Sequence, residues 1–258
     1  MSKQNYITPK ITRVGAGPGD IELITLKGIN ALKKADVVLF DALVNNEILN
    51  YAPKDAVKIY VGKRNSRHAY SQDQINQLLV EMALKYGHVV RLKGGDSFVF
   101  GRGQEELNYA NAFNIETSVV PGISSSISVP ALAGIPVTHR GASESFWVIT
   151  GTTKDNQLSN DVLLAAKTNT TIVILMGLGK LKEITEVFSK EGKEDTAIAL
   201  IQDGSLPSQK VALGTIESIV EIAQEKNIKA PAVIVIGEVV KQHPNFESIL
   251  SNYQFLAN

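Results

Sequence analysis

The first half of the chain alternates short apolar runs with amphipathic stretches. Four runs are rich in β-branched or aromatic residues and are bounded by turn residues, a pattern typical of β-strands. They cover residues 11–14, 37–40, 58–61 and 88–92. Strands that alternate with helices predict a mostly parallel sheet covered on both faces.

An amphipathic helix is predicted between the third and fourth of these runs. Ser71 and Gln74 have the spacing of a capping box at its start, and Gly87 is suited to end it. Its apolar face recurs at helical spacing and consists of Ile75, Leu78, Leu79 and Met82.

The second half has a different pattern and predicts a second, mixed α/β domain. Its predicted strands are residues 146–150, 171–175, 196–201, 209–213 and 232–236. The third and fourth are separated only by a short loop with Gly204 and Pro207, which favours an antiparallel pair because a parallel crossover needs more residues. Pro and Gly interrupt the pattern near residues 120–122, so we expect domains at residues 1–119 and 120–258.

Composition excludes several classes of protein and site. The 258 residues carry no formal net charge, so no global field attracts nucleic acid or an anionic membrane. The absence of cysteine excludes disulfides and thiolate chemistry, and four histidines far apart in sequence argue against a metal site. We expect no secretory signal, because the first thirty residues lack a basic segment followed by an apolar one, and the apolar runs are too short to span a bilayer. We expect a soluble, cytoplasmic protein that binds neither nucleic acid nor membrane.

A glycine-rich turn, VGAGPGD at residues 14–20, follows the first predicted strand. Such a turn lets a ligand approach the backbone closely, or it is simply structural. A dinucleotide fingerprint needs a third glycine for close helix packing, but Asp20 stands there and its charge repels pyrophosphate. The spacing therefore disfavours NAD or FAD and leaves a structural turn or another ligand open.

A second dense motif, RLKGGDSFVFGRG at residues 91–103, begins where the fourth predicted strand ends. Gly94 and Gly95 leave the backbone bare, and Asp96 adds a carboxylate beside them. This combination suits a ligand with a ribose hydroxyl or a cationic group, and S-adenosylmethionine has both. A tight turn capped by Asp96 explains the same residues equally well.

Together, in this order, these motifs resemble the tetrapyrrole methylases, and within that family the enzymes that methylate uroporphyrinogen III on carbon. The likeness spans residues 11–240 and rests on VGAGPGD, FDALV (40–44), GKR (62–64), RLKGGDSFVFGRG, VPGISSS (120–126), AGIPVTHRG (133–141), LMG (175–177), DGS (203–205) and PAVIVIGEVV (231–240). It implies two α/β domains with the active site in the cleft between them and a homodimer. It also implies S-adenosylmethionine as methyl donor and S-adenosylhomocysteine as product, while the spacing of the histidines predicts no metal.

The resemblance also implies roles for individual residues. Asp41 corresponds to the proton acceptor and Lys63 to the proton donor, although from sequence alone Asp41 also suits a helix cap. The positions that correspond to cofactor contacts are Pro18, Gly94, Gly95, Asp96, Val99, Ser124, Ser125, Met176 and Gly204.

A neutral chain needs a local cationic site to hold the eight carboxylates of uroporphyrinogen. A basic run such as residues 63–68 is usually a solvated face, but it also suits this task. The candidate substrate-binding residues are Arg64, Arg67, His68, Arg102, His139 and Arg140.

The expected reaction is two successive methylations of uroporphyrinogen III, at ring positions 2 and 7, giving precorrin-2 for siroheme or cobalamin synthesis. The nearest alternative is a sister methylase acting on a later corrin precursor, a protein histidine or ribosomal RNA, and the lack of a basic surplus argues against RNA. A nicotinamide oxidoreductase and a non-catalytic tetrapyrrole carrier are alternatives of other classes.

Overall fold

The computed structural model describes residues 7–62 and 70–248. The chain divides into two compact units, Met1–Ser124 and Ser125–Asn258. Each unit is built on its own five-stranded sheet with helices in the connections. The predicted α/β class, with a parallel first sheet and a mixed second sheet, is confirmed.

The sheet of the first unit has the strand order β3-β2-β4-β1-β5, and all neighbouring strands run parallel. Parallel strands end at one common edge, so the loops after them lie side by side. The strands are β1 (Lys10–Gly15), β2 (Val37–Phe40), β3 (Val57–Tyr60), β4 (His88–Lys93) and β5 (Glu116–Val120).

Helices α1 (Leu26–Leu32), α2 (Gln72–Tyr86) and α3 (Gly103–Asn111) cover this sheet. The predicted capping box of α2 is confirmed, and Gly87 ends the helix with a φ of 109°. One apolar cluster packs α1 against one face of the sheet, and a second packs α2 and α3 against the other. Both faces of the sheet are therefore buried, as predicted.

The sheet of the second unit has the order β6-β7-β10-β8-β9. β6 and β7 pair in parallel, whereas the other three neighbouring pairs, including the predicted β8–β9 pair, are antiparallel. The strands are β6 (Phe146–Thr150), β7 (Thr171–Leu175), β8 (Ala197–Gln202), β9 (Lys210–Thr215) and β10 (Ala232–Ile236).

The helices of the second unit are α4 (Ser125–Leu132), α5 (Asn160–Ala165), α6 (Leu181–Lys190) and α7 (Ile219–Glu225). Helices α5 to α7 share one apolar cluster with the sheet, and α4 belongs to a cluster on its other face. Successive residues of β7 point to opposite faces, and its first four residues are buried, which explains why this strand is apolar at every position after Thr171. No helix in the described ranges is long and apolar enough to cross a membrane.

Candidate functional site

Three loops of the first unit meet at the carboxyl edge of its sheet, after β1, β4 and β5. Gly95 donates a backbone hydrogen bond of 2.6 Å to Gly17, which donates one of 3.3 Å in return. A Cβ atom on Gly15 would lie 2.5 Å from the backbone nitrogen of Gly122, and one on Gly122 would lie 2.3 Å from the carbonyl oxygen of Gly95. The loops therefore pack backbone against backbone, which no residue with a side chain permits at these positions.

Asp96 joins two of these loops. Its Oδ1 accepts the N–H of Phe98 at 2.7 Å, and its Oδ2 accepts the N–H of Gly122 at 2.9 Å. An ionised carboxylate has about four acceptor positions, so Asp96 retains capacity for a ligand hydroxyl. Asp96 thus caps a tight turn, which was one of the two interpretations of its motif. It also holds a distant loop in place, and nothing in the sequence indicated this second contact.

The first unit brings together five of the predicted cofactor residues at this edge: Pro18, Gly94, Gly95, Asp96 and Ser124, with Val99 in the same loop as Asp96. Gly94 packs against Leu43, since a Cβ atom there would lie 2.7 Å from the Cβ of Leu43. Asp20, the acid of the first loop, accepts the N–H of Glu22 and so begins a short 3₁₀ helix. The cofactor-binding roles of the six residues of this unit that the sequence indicated stay predictions.

The other predicted cofactor residues, Ser125, Met176 and Gly204, belong to the second unit. Ser125 begins α4, and Gly204 follows β8, where a Cβ atom would lie 2.3 Å from a methyl group of Val129. Met176 follows β7 with a φ of 54°, and its carbonyl accepts the hydroxyl of Thr152 at 2.8 Å. Non-glycine residues with positive φ cost free energy and cluster at functional loops, which favours a ligand-binding role for the Met176 turn.

Asp41 lies directly after β2, at the carboxyl edge of the first sheet. Its Oδ1 accepts the N–H of Leu43 at 3.3 Å. Its Oδ2 is 3.6 Å from Nη2 of Arg91 and 3.9 Å from Nζ of Lys93. One oxygen therefore supports a turn and the other faces two cations, so the alternative of a helix cap does not describe this residue.

A buried charge cluster lies beneath Asp41. Arg13 on β1 forms an ion pair with Glu106 on α3, and Nε of Arg91 is 3.4 Å from the same carboxylate. All three side chains are at most 2% exposed. Burial lowers the pKa of Arg13 to about 9 and lowers the pKa of Arg91, where the charge of Asp41 opposes the shift. Charges so deeply buried are retained only when they compensate each other.

We expect the Glu106→Gln variant to lose about 3–5 kcal/mol of unfolding free energy, because Arg13 and Arg91 would be left buried without their shared anion. Glu105→Gln is a matched control on the next residue, since its ion pair with Arg102 is exposed and such pairs contribute about 0–1 kcal/mol. Urea unfolding at neutral pH measures both. Equal losses in the two variants would contradict the role assigned to the buried cluster.

Lys93 is the functional candidate that the sequence analysis missed. It is the last residue of β4, and its side chain is only 15% exposed. Burial lowers its pKa to about 8, the positive charge of Arg91 adds to the lowering, and Asp41 opposes it. Its position at the end of a strand and before a glycine pair could have identified Lys93 as a candidate site residue. Among the charged groups beside these glycines, only Asp96 was considered from the sequence.

The lowered pKa predicts that Lys93→Met stabilises the free protein at neutral pH. The pKa of this lysine is 10.5 in the unfolded chain and about 8 in the folded chain. Between these pH values the unfolded chain binds more protons, so the stability of the wild-type protein rises with pH. Below about pH 8 the wild type bears the full free-energy cost of burying the charged lysine. A pKa shift of this size corresponds to a gain of at most about 3 kcal/mol in the unfolding free energy of the variant. Urea unfolding at pH 7 should show the gain, and the difference from wild type should vanish near pH 10.5. A gain independent of pH would refute this explanation.

The basic candidates fall into three groups. Lys63, Arg64, Arg67 and His68 lie outside the described residues. Arg102 precedes α3 and donates to Glu105 at 2.8 Å through Nε. His139 belongs to a short hairpin with Ser143, and Arg140 is exposed in its turn. In the ranges that the structure covers, no group of three or more histidine or acidic side chains is placed to hold a metal ion.

Comparisons with known proteins agree with the motif resemblance. Residues 10–220 match the family model of the Tetrapyrrole (Corrin/Porphyrin) Methylases. The chain is 49% identical over 236 residues to the uroporphyrinogen-III C-methyltransferase of Methanocaldococcus jannaschii. The aligned residues cover 91% of this chain and 98% of that protein. It is 46% identical over 244 residues to a siroheme synthase of Actinobacillus pleuropneumoniae, covering 93% of this chain and 49% of the synthase.

Among solved structures, the uroporphyrin-III C-methyl transferase of Thermus thermophilus complexed with S-adenyl homocysteine is similar, with a TM-score of 0.78 and 35% identity. The similarity covers 90% of this chain and 99% of that one. The match to the family model spans most of the chain, and the fold and the motifs agree with it. The chain therefore belongs to the tetrapyrrole (corrin/porphyrin) methylase family.

Proposed function

We propose that this protein methylates uroporphyrinogen III at ring positions 2 and 7, giving precorrin-2 and S-adenosylhomocysteine. The observation that carries the proposal is the meeting of three glycine-containing loops and Asp41 at the carboxyl edge of one sheet. The likeness to the Methanocaldococcus jannaschii enzyme along nearly the full length of both chains supports the choice of substrate.

The backbone of the three loops suits the adenosyl part of S-adenosylmethionine. Gly95, with a φ of 64°, carries no side chain, so a flat ring system can approach the main chain closely there, whereas Leu43 fills the space beside Gly94. The free acceptor capacity of Asp96 suits a ribose hydroxyl. We propose that Ser125, Met176 and Gly204 supply the contacts of the second unit, and that the bound cofactor supplies an electrophilic methyl group.

The chemistry requires orientation and removal of one proton. A carbon–carbon bond forms as the methyl–sulfur bond breaks, which leaves a positive charge on the pyrrole ring. Orientation of the reactants provides much of the rate enhancement in such a displacement. We propose that the Asp41 carboxylate stabilises the cationic ring and then accepts the proton from the methylated carbon. The electrons of that C–H bond return to the ring and neutralise it.

Cationic side chains are proposed to hold the carboxylates of the substrate, since charged hydrogen bonds to carboxylates are strong. The residues proposed for this are Arg64, Arg67, His68, Arg102, His139 and Arg140, with Lys63 as proton donor. The motif resemblance supports the role of Lys63, and Arg64, Arg102, His139 and Arg140 lie within its motifs, whereas Arg67 and His68 are proposed from the density of basic residues alone. The proposal includes a homodimer in the cytoplasm.

Incubation with methyl-labelled S-adenosylmethionine and enzymically prepared uroporphyrinogen III tests the function. We expect two labelled methyl groups on each tetrapyrrole, at ring carbons 2 and 7 by carbon NMR. A later corrin precursor serves as the parallel substrate. Label on that precursor alone would assign the protein to a sister activity, and no label on either compound would overturn the proposal.

A further inference from the structure

Lys93 lies in a mainly positive environment. The charged groups that act on it are Arg91 on the same strand, Arg13 on β1, Arg102 before α3, Asp41 after β2 and Glu105 on α3. Three of these five groups are cations. These cations raise the free energy of the protonated lysine. Burial of its side chain raises it further, because an ammonium group removed from water needs a compensating anion.

The carboxylates of the cluster are already in use. Glu106 contacts both Arg13 and Arg91, and it also accepts a hydrogen bond from Gln72 at 3.0 Å. Asp41 is shared between Arg91 and Lys93, with the longer distance, 3.9 Å, to the lysine. Within residues 7–62 and 70–248, the cluster thus joins three cations to two carboxylates.

The nearest further acid of the same loop is Asp96, whose charge acts on Arg13 and raises the pKa of that arginine. Both oxygens of Asp96 accept backbone N–H groups, from Phe98 and Gly122. Glu105, on the neighbouring helix, is exposed and paired with Arg102. An anion that neutralises Lys93 must therefore come from outside the cluster.

We infer that the ammonium group of Lys93 binds a carboxylate of a bound reactant, which completes the charge balance of the cluster. The position is suitable, because Lys93 ends β4 directly before Gly94 and Gly95, and part of its side chain reaches solvent. This inference rests on the proposed function, whose two reactants both carry carboxylates. One source is the tetrapyrrole, and the other is the amino-acid end of the cofactor.

A proton should accompany the binding of that carboxylate. The pKa of Lys93 in the free protein is lowered to about 8, first by burial and then by Arg91, so about half of the molecules carry the neutral amine at pH 8. An anion beside the ammonium group raises the pKa again. Binding at pH 8 should therefore take up about half a proton per site.

Calorimetric titration at pH 8 in buffers of different ionisation enthalpy measures this uptake. The protein is titrated first with S-adenosylhomocysteine, and then with uroporphyrinogen III in the presence of S-adenosylhomocysteine, which has no methyl group to transfer. Uptake that depends on Lys93 in the first titration assigns the carboxylate to the cofactor. Uptake in the second assigns it to the tetrapyrrole.

Two substitutions separate charge from proton uptake. Lys93→Arg keeps a permanent cation, so we expect affinity within a few-fold of wild type and the proton uptake lost. Lys93→Gln removes the cation, so we expect about 10- to 100-fold weaker binding of that reactant and no uptake. Lys10→Gln is the matched control, because Lys10 begins β1 at the opposite edge of the sheet and pairs with Glu116.

Unchanged proton uptake in Lys93→Arg, or wild-type affinity for both reactants in Lys93→Gln, would overturn the inference. These outcomes differ from a failure of the proposed function itself. If the wild-type protein binds neither S-adenosylhomocysteine nor uroporphyrinogen III, the proposed function fails. If it binds both without proton uptake that depends on Lys93, only the inference fails.

Discussion

Replacing Asp41 by asparagine should lower turnover about 100- to 10,000-fold, the range that positioned general bases contribute. The amide keeps an oxygen to accept the N–H of Leu43, so the turn after β2 should persist. It loses the negative charge that faces Arg91 and Lys93, and with it the capacity to accept a proton from the substrate. Affinity for S-adenosylhomocysteine should change little, because that cofactor is proposed to bind the glycine loops.

Single-turnover assays with labelled S-adenosylmethionine, together with calorimetry, separate these two effects. Asp36→Asn is the matched control, since Asp36 precedes the same strand at its other end and accepts the backbone N–H of His88 at 2.7 Å. We expect less than a twofold change in turnover there. An Asp41→Asn variant that retains more than half of the wild-type turnover would limit Asp41 to a structural role.

Gly122→Ala should weaken binding of S-adenosylhomocysteine about 10- to 100-fold. The added Cβ atom would lie 2.3 Å from the carbonyl oxygen of Gly95 and 2.6 Å from Cα of Gly15, so the three loops must move apart. The neighbours are backbone atoms and have no rotamer to change. Overpacking of this kind typically costs about 1–3 kcal/mol of stability, and about 1.4 kcal/mol lost from binding weakens affinity tenfold.

Gly179→Ala is the control for this substitution, because a Cβ atom at Gly179 would have no neighbour within 4 Å. Its affinity and its thermal midpoint should stay close to the wild-type values. Calorimetry and thermal unfolding of both variants test the prediction. Gly122→Ala with normal affinity and a lowered thermal midpoint would mean that the meeting of the loops supports the fold but not the cofactor.

Local sequence was sufficient for most of the secondary structure. Runs of β-branched and other apolar residues predicted nine of the ten strands, because strands of a sheet covered on both faces are mostly apolar along their length. Helix α2 was predicted with both ends, since Ser71, Gln74 and Gly87 bond to the backbone of their own helix. Such signals act within a few residues and are visible in the order of the chain.

The missed strand shows where this reasoning ends. β5 begins with Glu116, which is exposed, and its next three residues are only partly buried. It lies at the edge of the sheet and pairs only with β1, more than 100 residues earlier in the chain. Its conformation is decided by that pairing, and its own apolar pattern is too weak to predict a strand.

The site divides in the same way. The sequence by itself determined that glycine-rich turns and an aspartate follow β1 and β4, and the motifs indicated a tetrapyrrole methylase. Tertiary structure decided that Asp96 clamps Gly122, 26 residues away, and that Arg13 pairs with Glu106, 93 residues away.

Only the tertiary structure brings Lys93 to Asp41 and lowers the pKa of the lysine to about 8. In sequence, Lys93 is one basic residue among 26. The pKa of a side chain depends on how much water burial removes and on which charges approach it through space. Both are set by strands and loops from separate parts of the chain, so no local pattern encodes them.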